Sequence, residues 1–337
     1  MNPIWVDETG WLTGLGPVVD IDPGEGPGRY ASAFEQLRRT GRALAFASFT
    51  FDVDEPGSVV IAPSRVSSDP AEPVRPRGRV DVLDDGVDAW RDGYERAMKA
   101  IHGDHVSKVV LARQVKVAVD GELDAASLVA RLAAANPGCY CFAVAGLVGA
   151  SPELLVRARQ GRISTLALAG TATDPEQLES VKISEEHKHV TESVAGALER
   201  HLAGIDVTEQ IIVTHGRMSH VGTRIEGPAR PGSTVVDILA DLHPTAAVAG
   251  APRDEAISLI RDLEPASRGR YAGPVGWLDS NGEGVFALAL RCGQVEDGAV
   301  TLFAGGGLVA GSEEEAELEE TELKLAPMIE ALGQLPS

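Results

Sequence analysis

The residues of this chain best placed to do chemistry are a lysine on an apolar strand, a glutamate heading another strand, and carboxylates spaced along two helices. In Ser107-Lys108-Val109-Val110-Leu111-Ala112-Arg113 a period of two puts Lys108 on one face with Val106, Val110 and Ala112. A lysine so flanked can lose its water, its pKa falls, and it becomes a competent base near neutral pH. The ordinary alternative is an edge lysine whose ammonium reaches back to water. In Ser151-Pro152-Glu153-Leu154-Leu155 a carboxylate stands directly before an apolar strand. Burial would hold it protonated as a general acid, although surface Pro-Glu turns are common.

Helical spacing places Glu186 beneath Val190, Val194 and Ala197, on the stripe that should face inward. An inward glutamate needs a partner, and a hard cation is the natural one. His187 and His189, two apart, point to different helix faces, and no His-Glu-x-x-His occurs, so zinc is rejected. In the last helix Glu317, Glu320 and Lys324 stand at i, i+3 and i+7 on one face. They read either as a metal carboxylate site beside a substrate-binding ammonium or as a solvated helix edge. Ser312, with Glu315 three residues on, fits a capping box at the start of that helix. Gly305-Gly306-Gly307 could bring backbone N–H groups close to an anion or simply form a tight turn. Arg291 is expected on a strand face lined by Val285, Ala287 and Ala289, where small side chains leave room for a carboxylate ligand.

The elements that must position these groups are legible from Val106 onward. Strands are expected over Val106–Val119, Cys139–Gly146, Leu154–Arg159, Arg162–Leu168, Thr208–Thr214, Arg217–Glu226, Gly273–Leu278, Gly284–Val295 and Ala299–Phe303. Helices are expected over Asp88–His102, Leu128–Ala135, Glu176–Leu202, Val235–Leu242, Asp254–Leu263 and Glu313–Leu332. Residues 1–87 are Pro/Gly-rich, with a strand-like run at Ala43–Phe51 and a candidate linker over Ser67–Arg79. The fold class is α+β: a large, mostly antiparallel sheet core of two packed sheets flanked by helices, with residues 1–87 as its β-rich N-terminal part and 88–333 as the catalytic part.

With 337 residues and 44% hydrophobic content the chain can fill a large core. The 30 basic and 50 acidic residues give a net charge of −20, which argues against nucleic acid as a partner. Cys139, Cys141 and Cys292 have neither zinc-knuckle nor redox-pair spacing, and their odd number argues against a disulfide framework. No run approaches the roughly 20 apolar residues of a membrane span, and the first residues lack a signal-peptide pattern. A cytoplasmic protein, a monomer by default, is expected.

The ordered set Lys108-Val-Val-Leu-Ala-Arg113, Ser151-Pro-Glu-Leu-Leu155, Leu168-Ala-Gly-Thr171, Glu186-His187, Leu242-His-Pro-Thr245, Leu263-Glu-Pro265, Gly273-Pro-Val-Gly-Trp277, Arg291, Ala304-Gly-Gly-Gly307 and Glu320-Thr-Glu-Leu-Lys324 closely resembles the chorismate-utilising enzymes, over residues 88–333. The resemblance implies a Mg²⁺ ion held by Glu186 and Glu320 with Glu317 close by, and chorismate as substrate. It further implies that Arg291, Lys324 and the Gly305–Gly307 backbone hold the substrate's carboxylates, with Gly170, Thr171, His243 and Tyr271 lining the pocket. A few buried cations and a metal would then dominate the field locally despite the acidic surface.

In this family a lysine at the Lys108 position goes with activation of water, whereas ammonia-using members typically carry glutamine. Lys108 would be the base and Glu153 the acid, and no glutaminase subunit is expected. Ala169 stands where the aminodeoxychorismate type often has lysine, and Leu318 where relatives often place Trp. The resemblance lies nearest the isochorismate-forming members, feeding menaquinone or siderophore biosynthesis. The alternatives are a salicylate synthase, which goes on to eliminate pyruvate, an anthranilate synthase large subunit, and a silent chorismate binder.

Overall fold

The computed structural model describes the whole chain except residues 75–77, 122, 173–177, 179–180, 216–217, 297 and 334–337, and gives the backbone alone for 169, 171–172, 181–186 and 188–189. The chain runs β1 (Ile4–Asp7), β2 (Gly10–Ile21), α1 (Arg29–Thr40), β3 (Leu44–Ser48), β4 (Val59–Ser67), β5 (Val80–Asp84), α2 (Val87–His102), β6 (Lys108–Val119) and α3 (Ala125–Ala135). It continues through β7 (Tyr140–Val144), β8 (Leu147–Ser151), β9 (Leu154–Arg159), β10 (Arg162–Ala172), α4 (Val181–Leu198), β11 (Asp206–Val207), β12 (Ile211–His215), β13 (Met218–Pro228) and α5 (Val235–Leu242). The rest is β14 (Gly250–Ala251), α6 (Arg253–Leu263), β15 (Pro274–Asp279), β16 (Gly284–Leu288), β17 (Cys292–Glu296), β18 (Ala299–Val309) and α7 (Glu314–Leu332).

All these strands pair antiparallel, and one unbroken path links all but β11, which pairs beside it with β13, and β5 and β14, which pair with β6. It starts at β12 and runs through β13, β10, β9, β16, β15 and β3 to β4. From β4 it crosses β2 and β1 and continues through β7, β8, β17 and β18 to β6. The two sheets expected from the sequence are thus the two halves of one ribbon, which folds over a shared core. Phe46 and Phe286 of the first half lie in one apolar cluster with Phe142 and Leu147 of the second. A smaller cluster lies on the second half's other face, where α3 and α7 bring Leu128, Leu132, Leu325 and Met328 against Val117, Val148 and Leu302.

Local sequence explains most elements. α3 and α5 start on side-chain caps, with Asp124 accepting from Ser127 N–H and Thr234 forming a capping box with Asp237. α2 buries Trp90, Tyr94, Ala97, Met98 and Ile101 at helical spacing. The start of α7 departs from expectation. Its N-cap is Glu313 with no side-chain cap, so the expected Ser312–Glu315 capping box does not form. Ser312 Oγ instead accepts a hydrogen bond from Val309 N–H at 3.1 Å and closes the turn between β18 and the helix.

The N-terminal 87 residues are more ordered than their composition suggests. They contain α1, which no sequence pattern indicated, and β1, β3 and β5 join β7, β15 and β6. No helix among the described residues is long and apolar enough to cross a membrane.

Candidate active site

The cavity wall is built first by β6 and β18, paired from Lys108 opposite Val309 to Ala118 opposite Ala299. Alternation turns Lys108 and Val110 of β6, with Gly305, Gly307 and Val309 of β18, into a cavity of about 330 Å³. Gly305–Gly307 form neither a turn nor a loop cradle but a continuous stretch of strand. The absence of side chains there makes room. A Cβ on Gly305 would sit 2.8 Å from Tyr271 Oη, and one on Gly306 3.1 Å from Glu317 Oε2.

Glu153 enters from the bend between β8 and β9, where its N–H donates to Ser151 Oγ at 3.2 Å and its carbonyl accepts from Leu288 N–H at 3.1 Å. Its side chain is partly accessible because it faces the cavity, while dense protein surrounds it. Burial pushes its carboxyl up to about 7, against the opposing pull of Lys108, Lys324 and Arg291. A protonated acid and a lysine therefore share one enclosed space.

Arg291 reaches the cavity by a route the sequence did not indicate. The single strand expected over Gly284–Val295 is broken: β16 pairs with β15 and β9, and β17 with β8 and β18. The chain crosses between the two halves of the ribbon at residues 289–291, and Arg291 takes φ 48° at the crossing. A non-glycine residue held there by the surrounding ladder points to function at that position. The guanidinium is buried and donates to Met218 Sδ at 3.0 Å. Burial lowers its pKa, and the carboxylates Glu320 and Glu153 are among the groups pulling it back up.

On α7, Lys324 donates to Gly305 O at 2.6 Å and pairs with Glu320 Oε1 at 2.5 Å. Glu317, Glu320 and Lys324 all line the cavity, so the i, i+3, i+7 face is not a solvated edge. Glu317 and Glu320 are hard oxygen donors one turn apart, of the type magnesium takes when it keeps waters and completes its shell with substrate. Among the described residues no three His, Cys, Asp or Glu side chains cluster closely enough to hold a metal alone. The side chain of Glu186, the remaining expected ligand, lies outside the described residues. His187 on the same helix is a core histidine bonded to Thr223 Oγ1 at 2.8 Å.

Tyr271 is buried and lines the cavity, stacked on Phe303 at 5.0 Å and 9° between planes; burial raises its hydroxyl's pKa. Gly170 also lines it, with φ 64° at a bulge between β10 and β13 that only glycine adopts easily. The side chain of Thr171 lies outside the described residues. His243 is not in the wall. It donates from Nε2 to Phe51 O at 3.0 Å, and burial pushes its pKa down to about 3, leaving it a neutral support.

Two polar wall residues had no sequence expectation. His220 shares a face of β13 with Met218, and its Nδ1 donates to Gly170 O at 2.9 Å. Burial, reinforced by Arg291 and Lys324, pushes its pKa down to about 4, so it is neutral. The alternation of β13 was the available signal. Arg268 is the other, four residues after the Glu264 of the Leu-Glu-Pro motif.

Residues 65–333 match the family model described as "Chorismate binding enzyme". Isochorismate synthase MenF of Bacillus subtilis is 34% identical over 264 residues, 73% of this chain and 56% of that protein. A putative isochorismate synthase MenF of Mycobacterium tuberculosis is 35% identical over 334 residues, 89% of this chain and 90% of that one. The crystal structure of a putative 2,3-dihydroxybenzoate-specific isochorismate synthase, DhbC from Bacillus anthracis, matches with a TM-score of 0.85 at 28% identity, covering 98% of this chain and 96% of that one.

Proposed function

The chain belongs to the chorismate binding enzyme family, and from that premise we propose that it is an isochorismate synthase, converting chorismate to isochorismate with Mg²⁺. The observation that carries the reading is the meeting of Lys108 and Glu153 in one cavity with Arg291 and Lys324. The carboxyl of Glu153, held up to about 7, is protonated in a large fraction of molecules near neutral pH.

Lys108, acting as the neutral amine, takes a proton from a water attacking C2 of the ring. The two ring double bonds shift, and the C4–O bond breaks as Glu153 donates its proton to the departing hydroxyl. One water enters and one leaves, so substrate and product are isomers. Lys108 ends protonated and Glu153 ionised, and one proton must return between turnovers. Arg291 and Lys324 hold the substrate's carboxylates, while Tyr271 and the side-chain-free stretch at Gly305–Gly307 shape the wall. Glu317, Glu320 and Glu186 would hold the magnesium ion, which when bound supplies positive charge for the ring carboxylate.

The relatives' names divide between MenF and a 2,3-dihydroxybenzoate-specific enzyme, which supports isochorismate as product and leaves menaquinone and siderophore routes both compatible. The test is product analysis by NMR after incubation with chorismate, with and without Mg²⁺. Isochorismate approaching equilibrium only with Mg²⁺ is expected. Salicylate with pyruvate would move the reading to a salicylate synthase, and no turnover even with ammonium to a silent binder.

A further inference from the structure

The edge of β6 opposite β18 is covered only at its ends. β14 pairs with Lys108 and Val109, and β5 with residues from Lys116 to Val119. Between them, over residues 110–115, no strand among the described residues lies along this edge, just after Lys108. Its polar groups are nevertheless met. Val110 N–H donates to Ala249 O at 2.9 Å, Ala112 N–H donates to Glu264 Oε1 at 2.9 Å, and Val110 O accepts from Arg268 Nη2 at 2.7 Å. The same Arg268 binds Glu264 through Nε at 2.9 Å and Nη2 at 2.5 Å, and Val248 O through Nη1 at 2.8 Å. Its guanidinium carbon lies 4.4 Å from the centre of the Phe51 ring and 6.0 Å from that of Tyr271.

We propose that Glu264 and Arg268 are a positioning pair that replaces the missing strand along β6 and so fixes Lys108 and the Tyr271 wall for reaction; this rests on the isochorismate synthase reading above. Arg268 lines the cavity and is a cation, so it could be taken for another anchor of substrate carboxylate. Its bonding argues otherwise. Four of its five N–H donors are committed to protein oxygens, and the carboxylate of Glu264 neutralises it. The side chains of Arg268 and Glu264 are 2% and 4% exposed, so neither can turn to a ligand without leaving a buried partner bare. The cavity cations that hold substrate carboxylates are then Arg291 and Lys324.

The test uses Arg268→Lys, Arg268→Met and the charge-neutral double variant Glu264→Gln/Arg268→Met. Each is compared with wild type by steady-state kinetics on chorismate, thermal midpoint, and amide exchange of the Lys108–Ala112 segment. We expect Arg268→Met and the double variant to lose kcat at least about 30-fold with KM within about threefold, because rate falls when reacting groups are slightly misplaced. Arg268→Lys should recover part of that kcat. In the single variants the 108–112 amides should exchange at least about tenfold faster. A tenfold rise in KM at preserved kcat would make Arg268 a substrate anchor and overturn the proposal. So would kcat within threefold of wild type in Arg268→Met, whatever its thermal midpoint. Wild-type protein that does not turn chorismate over would defeat the functional reading alone. The exchange measurement would still decide the pair, and unchanged exchange in Arg268→Lys, Arg268→Met and the double variant would overturn it.

Discussion

Two acid–base pairs four residues apart border the same cavity, and they differ in how much of each is left to act. Glu264 and Arg268 are almost wholly enclosed, and nearly every polar atom is committed to backbone or to the other partner. Glu320 and Lys324 are 30% and 13% exposed and face the cavity, and beyond their own ion pair Lys324 donates to Gly305 O. Sequence spacing is the same for both. A closed pair is architecture, because breaking it strands a charge in low dielectric. An open pair can exchange its partners for a metal or a substrate carboxylate at little cost in stability.

The largest expected effect belongs to the residue next to the strand edge held by the closed pair. Lys108→Ala should lower kcat by at least about 10³-fold, within the range general bases supply, while titration calorimetry with Mg²⁺ still detects chorismate binding. Activity near wild type would remove Lys108 as the base.

Next come paired single substitutions that set the two pairs against each other. Glu264→Gln should cost about 3–5 kcal/mol of stability in urea unfolding, by leaving Arg268 without its counter-charge. Glu320→Gln should cost under about 1 kcal/mol, yet weaken apparent Mg²⁺ affinity in the turnover assay about 10- to 100-fold. Equal losses of stability in the two variants would break the comparison. Lys324→Met is smaller still: KM for chorismate should rise about tenfold, as expected for one charge-assisted hydrogen bond, with kcat changed little.

The finest test is titration of Glu153. Its folded pKa of about 7 lies above the ordinary 4.5, so the folded protein holds this proton more tightly than the unfolded chain. That contribution is fully present below about 4.5 and is lost as pH rises through about 7. Glu153→Gln, which cannot ionise, should therefore gain on wild type by up to about 3 kcal/mol between pH 4.5 and 8 in unfolding experiments. In wild type, kcat/KM should fall as pH rises above 7, because the acid must be protonated. A flat profile there would take that role from Glu153.

Most of the polar cavity lining was legible because it sits on strong local patterns. Lys108 heads an alternating strand, Glu153 precedes an apolar one, and Glu317, Glu320 and Lys324 keep helical register. What failed was context. The motif implies a pocket place for His243, but its imidazole is spent on Phe51 O behind the wall. Arg291 was assigned to a strand face, whereas it serves from the crossing where one strand becomes two. The glycine stretch reads as an anion cradle or a tight turn, and the structure makes it strand, kept bare beside Tyr271 and Glu317.

By itself the sequence determined the α+β class, the helices and most of the strands from Val106 onward and the residue types of the site, because alternation, helical spacing and capping act over a few residues. Only the tertiary structure decided that the two sheets are one continuous ribbon, that β1, β3 and β5 belong to its ladder, and which of two equally spaced acid–base pairs is sealed. Those outcomes depend on which distant segments come to lie beside each group, and hence on its burial and remaining partners, which no local pattern encodes.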